Sequence, residues 1–528
     1  MTTRKARLAF TLKRFKGFMG AFRRSKRGML GIIILVVACF VSVAAPLLTP
    51  YHPIKNESLA GNTAAPSWYR YFPGGEDLSA NFDAIEDSGF SSINVLNELN
   101  VTVTPSAQNV FVYYASDVGY LGSPGSLAVI YEKGVDTLPV GSSVTIFIAK
   151  EFNYPYSGIP GRITLLGSIM LARIEGVSVQ ASLVLEQKWP TKVSSDLFKY
   201  NVTKWGFGPK TTQVYGVNVT YPRGTPEVYN ESSFTSRRYL DWISPRDVFT
   251  YDAQGAYPAL KQLFPKSGNY IYGIELTLTK LEPSAEAVIY VDKLNMPIQG
   301  TSFGVLGTDN YGRDIFSQLV YGTRISLIVG FLSAFVSVLI GLIVGLVSAY
   351  VGGIVDEVLM RFTDALLVLP GLPLLIVLMA VLSQSQYNMT TFIIVIGFLG
   401  WMGFARVVRS QVLSLKERPY VEAAKAVGAG TPYILARHIL PNVVSLIYVT
   451  LALTVPSSIV AEAALSFLGF VDLSQMSWGR MLQTARGNPG FWWWVIPPGL
   501  AIAILSLSFI LLGYALDEIL NPKLRMRR

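Results

Sequence analysis

Residues 29–48 read MLGIIILVVACFVSVAAPLL, an uncharged and almost wholly apolar stretch. Twenty such residues in a helix are about long enough to cross the roughly 30 Å hydrocarbon layer of a bilayer. Ten Lys or Arg and no acid precede the stretch. A cleaved signal peptide is the alternative interpretation, but its apolar core is usually about 7–15 residues long. We therefore interpret the stretch as an uncleaved membrane anchor within residues 1–50.

Apolar stretches of similar length recur in the second half of the chain. Across all 528 residues, 51% of the side chains are hydrophobic and only 15% are charged, against roughly a quarter charged in an ordinary soluble domain. The five further apolar segments lie near residues 325–350, 365–383, 391–405, 442–468 and 495–514. Together with the anchor they predict an all-α membrane core of six transmembrane helices.

The distribution of basic side chains predicts the orientation of these spans. Lys and Arg exceed Asp and Glu by 10 in the whole chain, and short cytoplasmic loops carry an excess of Lys and Arg. With the N-terminus inside, the inner segments hold 21 Lys or Arg and the short outer loops hold 2; the inner segments are 1–27, 351–363, 406–441 and 514–528, and the outer loops are 384–390 and 469–493. This bias predicts a plasma membrane protein with both termini cytoplasmic and residues 51–300 outside.

Residues 51–300 form a polar insert between the first two spans. They hold 19 basic and 23 acidic side chains, so the positive charge of the chain belongs to its apolar part. Apolar and polar residues alternate at 99–104, 217–221 and 274–279, and a period of two is typical of half-buried strands. Short β-branched or aromatic runs between Gly, Pro, Ser and Asn clusters favour an inserted β-rich, sandwich-like extracytoplasmic domain.

Six N-x-S/T sequons fall on segments assigned to the outside. Five are in the insert and one is in an outer loop; the asparagines are Asn56, Asn100, Asn201, Asn218, Asn230 and Asn388. A bulky sugar is tolerated on the polar side of a strand, where Asn100 and Asn218 are expected. Chance occurrence in a chain rich in Asn and Thr is the alternative to glycosylation.

Residue types that often carry catalysis or bind metals are scarce. Cys39 is the single cysteine, which excludes an intrachain disulfide and a thiolate metal cluster. His52 and His438 are too few for a His-based metal centre. The sequence has no G-x-x-x-x-G-K-[ST] motif and therefore no P-loop for ATP. We assign no catalytic residue, no metal and no bound cofactor to this chain.

The longest polar inner segment, residues 406–441, predicts a helix-turn-helix in the cytoplasm. Pro419 suits the first turn of a helix, and Gly428 suits a left-handed stop. Thr431 predicts the cap of a second helix, which is expected to end by Pro441. On the first helix, four residues are expected to share one face at helical spacing: Tyr420, Ala423, Ala424 and Val427.

This hairpin resembles the EAA loop of ABC importer permeases. The matching residues are Glu422-Ala423-Ala424, Gly428 and Leu440-Pro441, and Tyr420 lies on the same helix. The resemblance implies that the short helix docks in a groove of an ATP-binding subunit and transmits the closure of that subunit to the membrane spans. Residues 437–442, in which His438 replaces the usual isoleucine, are similar to the dipeptide and oligopeptide branch.

A second resemblance lies just before the second span. Residues 306–314 are similar to the C-type permease subunits of dipeptide, oligopeptide and nickel importers; the matching residues are Gly307, Thr308, Asp309, Gly312, Arg313 and Asp314. Asp309 or Asn310 is expected to cap a lead-in helix at the outer membrane interface. Such subunits usually have a far shorter segment between their first two spans, so the resemblance does not extend to residues 51–300.

The two resemblances imply a type I ABC importer permease core, formed by residues 1–50 and 301–528. Such a subunit forms half of a translocation pathway, here for di- or oligopeptides. Import of oligosaccharides or nickel is an alternative, and a membrane-anchored surface enzyme is a more distant one. The implied partners are a second related permease subunit, two ATPase subunits that use ATP and Mg²⁺, an extracytoplasmic solute-binding protein and membrane lipid, with no nucleic acid.

Glu462 is an acid inside the fifth predicted span, near its outer end. An ionisable side chain at the centre of a membrane helix costs roughly 2.5–3.5 kcal/mol, and less near the interface. Glu462 is therefore expected to face a cavity or a partner. It either lines the substrate path or makes a structural contact with neighbouring backbone amides.

Overall fold

The computed structural model describes residues 20, 22–85, 87, 90–119, 123–133, 138–163, 166–188, 198–207, 240–241, 267–382, 388–470 and 472–520. The chain divides into two compact units. The first comprises Met1–Glu57 and Arg313–Arg528, and the second is the inserted unit Ser58–Gly312. The sequence placed these boundaries at residues 50/51 and 300/301.

The first unit is helical. Its helices are α1 (Lys26–Leu48), α2 (Ile315–Val351), α3 (Gly353–Val368), α4 (Gly371–Leu382), α5 (Met389–Leu399), α6 (Met402–Lys416), α7 (Pro419–Ala426), α8 (Thr431–Ile434), α9 (Leu440–Phe467), α10 (Trp478–Ala485) and α11 (Trp492–Leu520). A single π-helical turn, Leu435–Ile439, joins α8 to α9 without a break.

Four of the described helices are long and apolar enough to cross a membrane. They are α1, α2, the continuous helix Thr431–Phe467 and α11. The pair α3 and α4 is bent by 97°, and the pair α5 and α6 by 45°; counting each pair as one span raises the number to six. Pro370 accounts for the first bend, because it forces the preceding Leu369 out of the helical region, to φ −70° and ψ 137°.

Helix α2 begins at a side-chain cap. Asp314 accepts a hydrogen bond from the Ser317 backbone N–H at 2.8 Å, and the helix then runs for 37 residues, about 55 Å at 1.5 Å per residue. The expectation that Asp309 or Asn310 caps it is wrong, since the Asp309 carboxylate accepts from the Tyr311 N–H within a preceding turn. The predicted lead-in helix is thus the first part of the span itself.

Glycines allow the helices to approach closely. A Cβ on Gly345 of α2 would lie 2.6 Å from the Ala405 carbonyl oxygen of α6, and one on Gly341 would lie 2.8 Å from that of Trp401. Likewise, a Cβ on Gly31 of α1 would lie 2.7 Å from the Ser508 carbonyl oxygen of α11. Gly341 and Gly345 of α2 are therefore sites of close helix packing.

The inserted unit is built from antiparallel strands. They are β1 (Phe82–Asp83), β2 (Asn100–Thr104), β3 (Val110–Ala115), β4 (Ser126–Tyr131), β5 (Ser143–Tyr154), β6 (Arg162–Ile163), β7 (Leu166–Glu175), β8 (Val177–Lys188), β9 (Phe198–Phe207), β10 (Leu240–Asp241), β11 (Gly268–Lys280), β12 (Glu286–Asn295) and β13 (Pro297–Gln299). Two five-stranded sheets have the orders β10-β7-β12-β4-β3 and β2-β5-β11-β8-β9, and a small sheet has the order β1-β13-β6.

Alternation along the strands produces the hydrophobic core of this unit. Ile274 and Leu276 of β11 are fully buried, as are Ile289 and Val291 of β12 in the other sheet, and all four belong to one cluster. The β-rich character predicted for this region is confirmed. The alternating stretch at 217–221 lies outside the described residues.

The two ends of the inserted unit are hydrogen-bonded to each other. The Ser58 N–H donates to the Tyr311 carbonyl and the Leu59 N–H to the Gly312 carbonyl, each at 2.9 Å. A Cβ on Gly312, whose φ is +70°, would lie 2.6 Å from the Ala60 carbonyl oxygen. The entering and leaving segments are therefore parts of the folded unit rather than linkers.

Candidate functional site

Helix α7 is fixed at both ends by backbone features. Pro419 occupies its first turn, as predicted. After the helix, Gly428 adopts a left-handed conformation with φ +81°. The Ala429 N–H donates to the Ala424 carbonyl at 3.0 Å and the Gly428 N–H to the Lys425 carbonyl at 2.9 Å. These are the two bonds of a Schellman cap, so the helix ends at a defined residue.

One side of α7 is packed and the other is open. Val421 is fully buried in a cluster formed by α2, α6, α7, α8, the π-turn and α9, and Ala424 packs against that cluster. Tyr420, Ala423 and Val427 are exposed; together we call them the α7 surface. The four-residue face predicted from spacing is therefore divided, because Ala424 turns partly toward the protein. Glu422 is exposed beside the α7 surface.

The second helix of the hairpin differs from the prediction at its start. Gly430, not Thr431, is the capping residue of α8, and it makes no side-chain hydrogen bond. Thr431 and Pro432 lie in the first turn of the helix. Pro432 lacks an N–H, which is harmless at this position because the first N–H groups of a helix have no intrahelical partner.

The helix does not end by Pro441 as predicted. It passes through the π-turn into α9, and the Leu440 N–H donates to the Leu435 carbonyl, five residues back. Proline in a regular helix clashes with the carbonyl four residues before it. Here that carbonyl belongs to Arg437, which lies within the wider turn. Leu440 and Pro441 thus lie at the junction between the hairpin and the membrane helix.

His438 lies between two tyrosines in this hairpin. Its ring centroid is 6.1 Å from that of Tyr420 and 5.8 Å from that of Tyr433. The Asn442 side chain donates to the His438 carbonyl at 2.7 Å. His438 therefore packs against aromatic rings, and no group of three potential metal ligands is present among the described residues. Tyr433, which is 56% exposed, extends the α7 surface and was not singled out from the sequence.

An ion pair connects α3 to α6, the helix that precedes α7. Arg409 of α6 donates to both carboxylate oxygens of Asp356 on α3, at 2.6 Å and 2.5 Å, and the Ser348 hydroxyl of α2 also donates to Asp356. A fork-to-carboxylate pair of this kind fixes orientation as well as distance. A second pair joins Arg406 to Asp364. The arginine partners of these two acids were not identified from the sequence.

Glu462 is buried in α9 and binds two hydroxyl groups. Its Oε1 accepts hydrogen bonds from Ser466 and Ser477, both at 2.8 Å. Ser477 in turn caps α10 by accepting from the Arg480 N–H at 3.2 Å. The partners of Glu462 are hydroxyls rather than the backbone amides expected. The residue is only 3% exposed, and its carboxylate connects α10 to α9.

The motif before α2 is placed mainly within the inserted unit. Thr308 donates its hydroxyl to the Gly61 carbonyl at 2.7 Å and accepts from the Ala64 N–H at 2.9 Å. Gly307 and Gly312 have positive φ angles. Thr308, Asp309, Arg313 and Asp314 are all buried. These residues thus have structural surroundings, with Asp314 serving as the cap of α2.

The sequon asparagines have varied surroundings. Asn56, Asn100 and Asn388 are exposed, and Asn100 lies on the polar side of β2. Asn388 caps α5 by accepting from the Thr391 N–H at 3.0 Å. The backbone of Asn201 lies in β9, whereas Asn218 and Asn230 lie outside the described residues.

Sequence comparison places the helical unit among transport proteins. Residues 337–526 match the model of the binding-protein-dependent transport system inner membrane component, and residues 14–66 match that of the N-terminal TM domain of oligopeptide transport permease C. The dipeptide transport system permease protein DppC of Bacillus subtilis is 42% identical over 222 residues, which cover 42% of this chain and 68% of that protein.

Two further relatives and one solved structure extend the comparison. The oligopeptide transport system permease protein OppC of Bacillus subtilis is 42% identical, over 42% of this chain and 72% of its own length. The glutathione transport system permease protein GsiD of Pectobacterium atrosepticum is 40% identical, over 42% and 73%. An inward-facing MetNI methionine ABC transporter structure is 20% identical with a TM-score of 0.32, over 39% of this chain and 95% of that one.

The alignments to these relatives include more than two thirds of each relative's length at 40–42% identity. The chain therefore belongs to the family of binding-protein-dependent transport system inner membrane components, in the branch of the oligopeptide transport permease C subunits.

Proposed function

We propose that this chain forms half of the translocation pathway of an ATP-driven peptide importer, and that the α7 surface is where a separate ATPase subunit docks. The observation that carries the docking site is the construction of α7. A short helix with a fixed start and a glycine cap is held by Val421 on one side, while Tyr420, Ala423 and Val427 are exposed on the other. Exposed apolar residues grouped in this way are typical of protein contact sites.

The substrate class follows from the relatives. Their names specify dipeptides, oligopeptides and glutathione, which share a peptide backbone with charged termini. We assign peptides of this kind to the present chain. Selection among them belongs chiefly to an extracytoplasmic solute-binding protein, which delivers its load to this subunit and to a second, related permease subunit.

The energy comes from partner chains in this proposal. Two ATPase subunits bind ATP and Mg²⁺, and this chain receives their movement. Val421 of α7 packs in one cluster with residues of α2, α6 and α9, so a displacement of α7 acts on these three helices together. Close packing makes such clusters poorly compressible. The hairpin is therefore suited to pass on a movement rather than absorb it.

Disulfide cross-linking tests the docking site. In a Cys39→Ala background, Ala423→Cys should cross-link to a cysteine introduced in the groove of the co-expressed ATPase subunit. Addition of ATP should change the cross-link yield more than addition of peptide does. Ser410→Cys, an exposed position on α6 that is not part of the α7 surface, is the matched control and should not cross-link. Equal yields at the two positions would refute docking on α7.

Orientation requires a separate test. The excess of basic residues on the assigned inner segments supports a cytoplasmic α7 and an insert outside the plasma membrane. A membrane-impermeant thiol reagent applied to intact cells should label Asn100→Cys and Asn388→Cys. It should label Ala423→Cys only after the membrane is opened. Labelling of Ala423→Cys in intact cells would contradict the proposed orientation.

A further inference from the structure

The last turn of α2 lies beside the C-terminal end of α6, where the hairpin begins. The final carbonyls of a helix have no partner within it and carry partial negative charge. Lys416, the last residue of α6, donates its Nζ to the Ala349 carbonyl at 3.2 Å. Gly352, with φ +71°, ends the helix through a bond from its N–H to the Ser348 carbonyl. A lysine at the start of the hairpin thus holds the end of α2.

Helix α7 contacts the same turn through a second lysine. The Lys425 Nζ is 5.8 Å from the centroid of the Tyr350 ring, within the range of a cation–π interaction. Tyr350 is half-buried and packs against the cluster that contains Val421. Val421 and Lys425 are four residues apart and so lie on the same side of α7. That side of α7 faces the end of α2.

The ion pair between Asp356 and Arg409 holds α2 independently of α7. Asp356 and Arg409 join α3 to α6, and Ser348 attaches α2 to the same carboxylate. None of these groups is on α7. The end of α2 therefore has one set of contacts that stays with α3 and α6, and another, through Tyr350, that moves with α7.

We propose that Lys425 is the positioning residue that transmits displacement of α7 to α2 through the ring of Tyr350. This inference rests on the proposed docking of an ATPase subunit on the α7 surface. Lys425 is exposed, but its contact with Tyr350 lies on the side of α7 that carries Val421, opposite the α7 surface, so this contact does not require the ATPase subunit. Loss of the contact therefore leaves docking intact and weakens the link between ATP hydrolysis and movement of α2.

The measured quantity is the number of peptides imported per ATP hydrolysed by the full complex in proteoliposomes. Lys425→Met should lower this ratio by about two- to fivefold, which matches the size of a partly exposed cation–π contact. Tyr350→Leu should lower it similarly. The conservative variants Lys425→Arg and Tyr350→Phe keep the charge and the ring, so each should retain the wild-type ratio.

Non-additivity distinguishes transmission from general damage. The double variant Lys425→Met with Tyr350→Leu should be no worse than the poorer single variant, because both remove one contact. A wild-type ratio in Lys425→Met, or losses that multiply in the double variant, would overturn the inference. The Ala423→Cys cross-link distinguishes a failure of transmission from a failure of docking. If the cross-link forms and the ratio is unchanged, only transmission is refuted; if it never forms, the docking site itself is refuted.

Discussion

Replacing Gly428 by alanine isolates the contribution of the left-handed cap of α7. A Cβ at this position has no heavy atom within 4 Å, apart from its own neighbours in the chain, so alanine introduces no clash. The whole effect comes from the backbone, whose φ is +81°. An alanine held in that conformation costs about 1–2 kcal/mol. If the alanine left that conformation, the two cap hydrogen bonds to the carbonyls of Lys425 and Ala424 would break.

Gly430 provides the matched control in the same loop. Its φ is −70° and its ψ is 156°, a conformation open to any residue, and the nearest atom to an added Cβ is Pro432 Cδ at 3.9 Å. Gly430→Ala should change stability little, because the poorer capping by alanine is offset by the lower entropy of the unfolded chain. Gly428→Asn should fall between Gly428→Ala and the wild type, since asparagine enters the left-handed region more readily.

The assay is titration of the purified ATPase subunit onto membranes that contain each variant. A strain of about 1–2 kcal/mol in the docking-competent loop corresponds to about a 5- to 30-fold rise in the apparent Kd. Stimulation of ATP hydrolysis by loaded binding protein should fall in the same order of variants. Wild-type affinity for Gly428→Ala, in a correctly inserted chain, would refute the idea that the left-handed cap presents α7 to its partner.

Three further outcomes are expected. Burial raises the pKa of the Asp292 carboxyl to about 6, despite its bond from the Lys293 N–H. The folded state therefore holds this proton at pH values where the unfolded state has lost it, and the free energy of unfolding should fall by about 2 kcal/mol as pH rises from 4 to 6. Asp292→Asn should abolish that fall in denaturant titrations. Residues 58–312, expressed alone, should give a single cooperative unfolding transition, because their two ends are hydrogen-bonded within the unit; a molten fragment would contradict this. Glu462→Leu should lower the thermal stability of the complex more than Glu462→Gln, since only glutamine retains an acceptor for Ser466 and Ser477, and the KM for peptide should change in neither variant.

Local signals in the sequence were sufficient to predict α7. Pro419 and Gly428 act through their own backbone preferences, so the start and end of the helix follow from two residues. Which side of α7 is buried does not follow locally. Ala424 is half-buried because α2 and α6 approach that side, and Tyr350, the partner of Lys425, is 75 residues distant in the chain.

Long-range contacts also explain the corrected helix boundaries. Asp309 is a reasonable cap by residue type, but Gly312 takes φ +70° next to the Ala60 carbonyl, and the helix can begin only after that turn. The π-turn before Pro441 was missed because proline usually predicts a helix end. The structure continues the helix by widening one turn.

The inserted unit begins at Ser58 and ends at Gly312, and its two end segments are joined by hydrogen bonds from the Ser58 N–H to the Tyr311 carbonyl and from the Leu59 N–H to the Gly312 carbonyl. An insertion whose two ends lie close together perturbs the surrounding protein little, because the ends connect to it as those of a short loop would, whatever the insert contains. Such a junction can accept, lose or exchange a whole domain in a single genetic event. It also marks a place where a reporter of similar end-to-end distance could replace residues 58–312 without rebuilding the helices on either side.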